Sequence, residues 1–140
     1  MLLNNLPQGV LLFGDPDFRG KCPTEAIEQV TFFNKLRREH PDTWGLLALH
    51  PRNEGLITRG QFSSVAKYAA EGMTAGAADI IIPARIAFVC ELKRQDRTQS
   101  AWQDGQEAYL GAAAIAGAFV CVALGWRAAY EAFEVWRNGL

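Results

Sequence analysis

Two runs rich in β-forming residues, Ala78 to Pro83 (ADIIIP) and Ile86 to Leu92 (IAFVCEL), stand with only Ala84-Arg85 between them. A connection that short predicts a tight antiparallel hairpin, because parallel strands need a crossover of a dozen or more residues. Such a hairpin brings the start of its first strand opposite the end of its second and so places Asp79 near Glu91. Strand side chains alternate with period two, which points Glu91 and Lys93 one way and Leu92 the other. Two carboxylates and one ammonium therefore converge at one end of the hairpin.

The rest of the chain has to pack around this ribbon. Pro23-Thr24-Glu25 opens a segment in which Ile27, Val30, Phe33 and Leu36 recur at three-residue steps, with Lys35, Arg37 and Arg38 near its end and Pro41 beyond. This is an amphipathic helix. Gly45 to His50 (GLLALH) has the length and composition of a strand, Pro51 to Gly60 reads as a surface loop, and Gln61 to Glu71 as a short helix stopped by Gly72. Ser100 reads as the N-cap of a long Ala-rich helix ending at Gly117. A buried strand, Ala118 to Leu124, and a last helix from Trp126 to about Arg137 follow. The pattern predicts one mixed α/β domain over residues 23–140. Residues 1–22, with Pro7, Gly9, Gly14, Pro16 and Gly20 and little periodicity, read as an irregular leader with no chemistry of its own.

With 140 residues, 49% of them apolar and 21% charged, the chain can bury a core. Its net charge of −1 excludes binding nucleic acid through total charge alone, so a local patch is required. From Arg19 to Arg97 twelve basic residues face nine acidic ones, and three of those nine are candidate site carboxylates. Cys22, Cys90 and Cys121 are odd in number and widely spaced, which indicates neither a disulfide framework nor a zinc site and implies a reducing compartment. No basic residue precedes Arg19, and the early apolar run Val10 to Phe13 is four residues long, so a mature chain starting at Met1 without a secretory signal is expected. The uncharged stretch Ala108 to Trp126 has nearly the length of a membrane span. Its Ala and Gly content, and its change of character at Gly117, argue for two elements and no membrane.

Paired acidic oxygens suit a hard divalent cation that keeps several waters and meets substrate phosphate oxygens, while a neighbouring lysine orients water and offsets charge in the transition state. His50 with Asn53 is only a faint echo of a histidine-based metal nuclease, and His50 is expected to be a surface or hydrogen-bonded residue. The four tryptophans are expected in the core rather than stacked on bases, and Cys90 is expected to be buried.

The run Glu71-Gly72-Met73-Thr74-Ala75-Gly76-Ala77-Ala78-Asp79-Ile80-Ile81-Ile82-Pro83, then Phe88-Val89-Cys90-Glu91-Leu92-Lys93, then Gln106, resembles the VRR-NUC (virus-type replication-repair nuclease) domain of the PD-(D/E)xK nuclease superfamily. The resemblance spans residues 23 to 135. It implies a restriction-endonuclease-like core, a mixed central sheet flanked by helices, and a metal-dependent DNA endonuclease using Mg²⁺ or Mn²⁺. Carried over by position, Asp79 and Glu91 are metal ligands, Lys93 the catalytic lysine, Gln106 a helix residue pointing into the site, and Glu25 the acidic residue and further ligand of the first helix. Gln103 competes with Gln106, and Glu28 with Glu25. Ala78 replaces the family's usual proline, and Pro51-Arg52-Asn53 carries one residue more than its Pro-Asn loop. Small stand-alone members imply a phage or prophage protein working in the bacterial cytoplasm on branched or single-stranded DNA such as four-way junctions. A non-catalytic nucleic-acid-binding or assembly module on the same fold is the alternative.

Two symmetric cuts at a junction call for a homodimer. Trp126, Tyr130, Phe133 and Trp136, on one stripe of the last helix, offer material for its interface.

Overall fold

The hairpin forms one side of a four-stranded sheet with helices on both faces, its second strand inside the sheet and its first at the edge. The computed structural model describes residues 4–51 and 62–140. Along the chain run β1 (Leu11–Phe13), α1 (Glu25–Glu39), α2 (Trp44–Leu47), α3 (Phe62–Ala70), β2 (Ile80–Ile82), β3 (Phe88–Lys93), a 3₁₀ turn (Arg97–Gln99), α4 (Gln106–Ile115), β4 (Phe119–Leu124) and α5 (Trp126–Asn138). The strand order is β1-β4-β3-β2, with β1, β4 and β3 parallel and β2 antiparallel to β3.

Ile80 lies opposite Cys90 and Ile82 opposite Phe88, a register that sets Asp79 across from Glu91. The connection is longer than Ala84-Arg85: residues 83–87 make the turn, and Trp136 Nε1 donates to the Ile86 carbonyl inside it at 2.7 Å. Ile80, Ile82, Phe88, Cys90, Leu92, Cys121 and Ala123 form one apolar face under α1 and α5, where Phe32, Leu36 and Phe133 are fully enclosed. Full burial of each such side chain stabilises the fold by about 1.5–3 kcal/mol relative to exposure. The opposite face, Val89, Val120 and Val122, is covered by Leu110 of α4.

Several sequence expectations change in three dimensions. The leader is not irregular throughout: Leu11–Phe13 pairs with Cys121–Ala123 as the edge strand of the sheet. Its apolar run is too short to read as a strand alone and gains its ladder from β4. The GLLALH run expected as a strand instead contains α2 and keeps a single bridge, Leu49 to Ile81, because three-residue β2 offers it no longer edge. Ser100 caps no long helix. Asp96 accepts from Thr98 N at 3.0 Å and turns the chain into the 3₁₀ segment, and α4 starts at Gln106 after Gly105, whose φ is 86°.

The aromatic stripe of α5 belongs to its own core. Tyr130, Phe133 and Trp136 are buried and Trp126 packs partly buried against them, so the interface expected there is used inside the subunit. Trp44 meets Trp136 edge to face, with ring centroids 5.0 Å apart. Cys90 and Cys121 are register partners in adjacent strands and both are free; the Cys121 thiol and burial push Cys90 well up, so it stays a thiol. Among the described residues no helix is long and apolar enough to cross a membrane, since the uncharged stretch 108–126 divides between α4 and β4. The loop expected over Pro51 to Gly60, with Arg52, Asn53 and Arg59, lies beyond Pro51 outside the described residues, as does Gln61.

Candidate active site

Ligands in open α/β sheets gather outside the carboxyl ends of the parallel strands. At that end the face under α4 changes from apolar to charged: after Val89 the alternation continues to Glu91 and Lys93, and Asp79 joins them across the hairpin. The buried stripe of α4 changes in step. Leu110 covers the valines, and Gln106, one turn earlier, covers the charges.

Close backbone packing makes the juxtaposition possible. Gly76, in the turn that leads to Asp79, has φ +80°, and a Cβ there would lie 2.2 Å from the Gly105 carbonyl carbon and 2.5 Å from Gln106 N. Only glycine lets this turn rest directly on the start of α4.

The side chains form one connected network. Gln106 Nε2 donates to Glu91 Oε1 at 2.7 Å, and Gln106 Oε1 accepts from Lys93 Nζ at 2.9 Å and from Gln103 N at 2.8 Å. Lys93 Nζ also donates to the Ala101 carbonyl at 2.8 Å, stands 3.6 Å from Glu91 Oε1, and lies 5.5 Å from the centroid of the Trp102 ring. Lys93 and Glu91 are each 1% exposed. Asp79 Oδ2 accepts from Leu92 N at 2.9 Å, and the Asp79 carbonyl accepts from His50 Nδ1 at 2.8 Å. His50 is thus hydrogen-bonded to the backbone of the site, as expected of it.

This network sets two carboxyl groups beside a single ammonium. Burial raises the Asp79 carboxyl above its ordinary range, and burial together with the neighbouring Asp79 raises Glu91 well above it. Glu91 Oε2 is buried without a hydrogen-bond partner. Two desolvated carboxylates, one with an open oxygen, beside a single lysine fit a divalent cation, whose charge would offset both. Among the described residues no three His, Cys, Asp or Glu side chains form a metal-holding group.

The structure brings Asp79, Glu91, Lys93 and Gln106 together. Glu25 stands at the first turn of α1 with Oε1 bonded to Ser100 Oγ at 2.8 Å, near enough for its charge to act on Glu91. Its rival Glu28 is engaged elsewhere: 4% exposed, it accepts from Trp126 N at 2.5 Å and caps α5, and burial raises its pKa. Gln103 enters the network through its backbone N–H, whereas Gln106 enters with its side chain. Sequence reasoning missed the Ala101 carbonyl and Trp102 as partners of Lys93, since both lie in an irregular segment with no period to read. The packing role of Gly76 was signalled by its place in the Gly72-x-x-x-Gly76 spacing.

No family model matches the sequence, and no curated protein matches it. A solved structure described as a VRR_NUC domain protein is similar to this chain, with a TM-score of 0.67 and 19% identity over 86% of this chain and 92% of that one. The chain has the fold of that VRR_NUC domain protein, a mixed sheet flanked by helices.

Proposed function

We propose that the protein is a divalent-metal-dependent DNA endonuclease of VRR-NUC type. The carrying observation is the convergence of Asp79, Glu91, Lys93 and Gln106 at the carboxyl end of the parallel strands, on a nuclease-type fold. When bound, Mg²⁺ or Mn²⁺ supplies Lewis acidity to a phosphodiester and acidifies water. Asp79 and Glu91 hold the cation, Glu91 through its open Oε2. Lys93 brings a fixed positive charge to offset the charge that develops on the phosphate. Gln106 holds Lys93 Nζ and Glu91 Oε1 in one arrangement, a positioning role. Glu25, on the open side, is the third acidic residue of this reading.

The substrate we assign is branched DNA, four-way junctions included, cut by a homodimer that supplies two sites. Its interface cannot be the α5 stripe, which is buried. The enclosure of Lys93 supports a second reading, a DNA-binding module in which the lysine serves structure alone.

A nicking assay with Mn²⁺, Mg²⁺ or EDTA on junction, flap, nicked and linear DNA separates the two. Metal-dependent cleavage that is fastest on branched DNA is expected. Cleavage persisting in EDTA, or none on any substrate with either metal, overturns the enzyme reading, and equal rates on all substrates remove the branched preference.

A further inference from the structure

The leader and the loop after β3 form a unit that the proposed chemistry leaves unused. Gln99 Nε2 donates to the Gly20 carbonyl at 2.9 Å, Gly20 N to Asp96 Oδ2 at 3.0 Å, Arg97 Nε to the Pro16 carbonyl at 2.8 Å, and Arg94 Nη2 to the Cys22 carbonyl at 2.8 Å. Joined in this way, the two segments carry Arg19, Arg94 and Arg97. Arg19 Nη1 shares the Pro16 carbonyl with Arg97. Asp96 is engaged within the unit by Gly20, Thr98 and Gln99, and Asp15 and Asp17 are its exposed acids.

Beside the first turn of α1 this unit borders a cleft of about 590 Å³ whose walls include Arg94, Ser100, Ala101 and Gln103, with Glu25 its one carboxylate. Ser100 Oγ holds Glu25 Oε1, and the Ala101 carbonyl accepts from Lys93 Nζ, so the cleft opens directly beside the candidate active site. The Arg94 guanidinium has an Nε–H that is buried with no hydrogen-bond partner. With Nη2 held on the Cys22 carbonyl, the guanidinium is fixed in the cleft lining, and guanidinium groups match phosphate oxygens.

We infer that this cleft seats a backbone phosphate adjacent to the scissile one, bound through Arg94, with Arg19 and Arg97 drawing the strand toward it. The inference deepens the nuclease reading by naming how the strand is positioned, since phosphate contacts fix register without reading sequence.

The test is fluorescence anisotropy with a labelled DNA duplex in Ca²⁺ across a salt series, with nicking in Mn²⁺ measured alongside. Arg94→Gln should weaken binding about tenfold and reduce the salt slope by about one unit. Arg85→Gln removes the same charge from the exposed hairpin turn at the far end of the sheet and should change neither. Should Arg94→Gln melt early, exposed Arg19→Gln reads the same slope, and Arg94→Lys, which keeps charge but loses the fork, should recover only part of the affinity. Equal slopes for the position-94, position-19 and position-85 variants overturn the clamp, and nicking by the wild type would then leave the nuclease reading standing. A wild type that does not nick but loses slope with Arg94→Gln keeps the clamp and removes the nuclease.

Discussion

Lys93 is a fully enclosed ammonium whose partners are two uncharged oxygens and one carboxylate, so its removal has consequences for both chemistry and folding. Lys93→Met should abolish nicking, because no other cation joins the described network, and should cost about 1–3 kcal/mol through the unpaired Ala101 carbonyl and a Glu91 left without its lysine, while Gln106 Oε1 keeps its bond from Gln103 N. Retention of more than about a tenth of the rate would assign the charge stabilisation to another group. Mn²⁺, binding the native state alone, should raise the melting temperature of the wild type and of Lys93→Met but not of Asp79→Ala. An equal rise for Asp79→Ala removes Asp79 from the ligand set. A separate titration belongs to Asp96, where bonds from the Thr98 hydroxyl and Gly20 N–H lead the causes that hold its carboxyl well below the ordinary range. Because the folded pKa is depressed, its stabilisation is present above the unfolded value and is lost as pH falls toward the folded one. Urea midpoints between about pH 5 and pH 2 should therefore fall less steeply for Asp96→Asn than for the wild type. Parallel curves would show that these bonds do not favour the ionised form.

At the scale of elements, the site depends on a turn resting on a helix start. Gly76→Ala would force a Cβ to within 2.2 Å of the Gly105 carbonyl carbon at a backbone φ of +80°. It should cost about 2–4 kcal/mol and separate Gln106 from Asp79. Gly72→Ala, at φ +105° but with open space around its Cβ, should cost about 1–2 kcal/mol from backbone strain alone. Chemical denaturation of the pair checks the ordering. Equal losses would mean that the contact with α4 relaxes freely. The leader shows the same dependence on a neighbour. Leu11–Phe13 becomes a strand because β4 offers a parallel edge, and residues 16–22 are held by the loop after β3, a contact some eighty positions away.

For the whole molecule, the aromatic surface of α5 decides where its apolar free energy is used. Phe133 is fully enclosed between the sheet and α1, in contact with Phe88, Tyr130 and Trp136. Phe133→Ala should therefore lower stability by about 3–5 kcal/mol at every protein concentration. Light scattering beside calorimetry distinguishes this from an interface. A variant that keeps its melting temperature but loses mass would return α5 to a dimer contact.

The hairpin, its register and the grouping of Asp79, Glu91 and Lys93 were legible in the amino-acid order, because period-two alternation and a short connection leave one pairing that buries the apolar residues. The flanking helices α1 and α5 were legible as elements, but the three-residue spacing named the buried face of α1 only in part: Phe33 and Leu36 are buried, Ile27 and Val30 are exposed, and Glu28 and Phe32 are buried instead. Which of Glu25 and Glu28 faces the site, which glutamine meets the lysine, whether the last helix is core or interface, and that Arg94 lines a cleft were decided only by tertiary packing. Each depends on contacts between segments distant in sequence, made through irregular turns, where no periodicity carries information about what lies opposite.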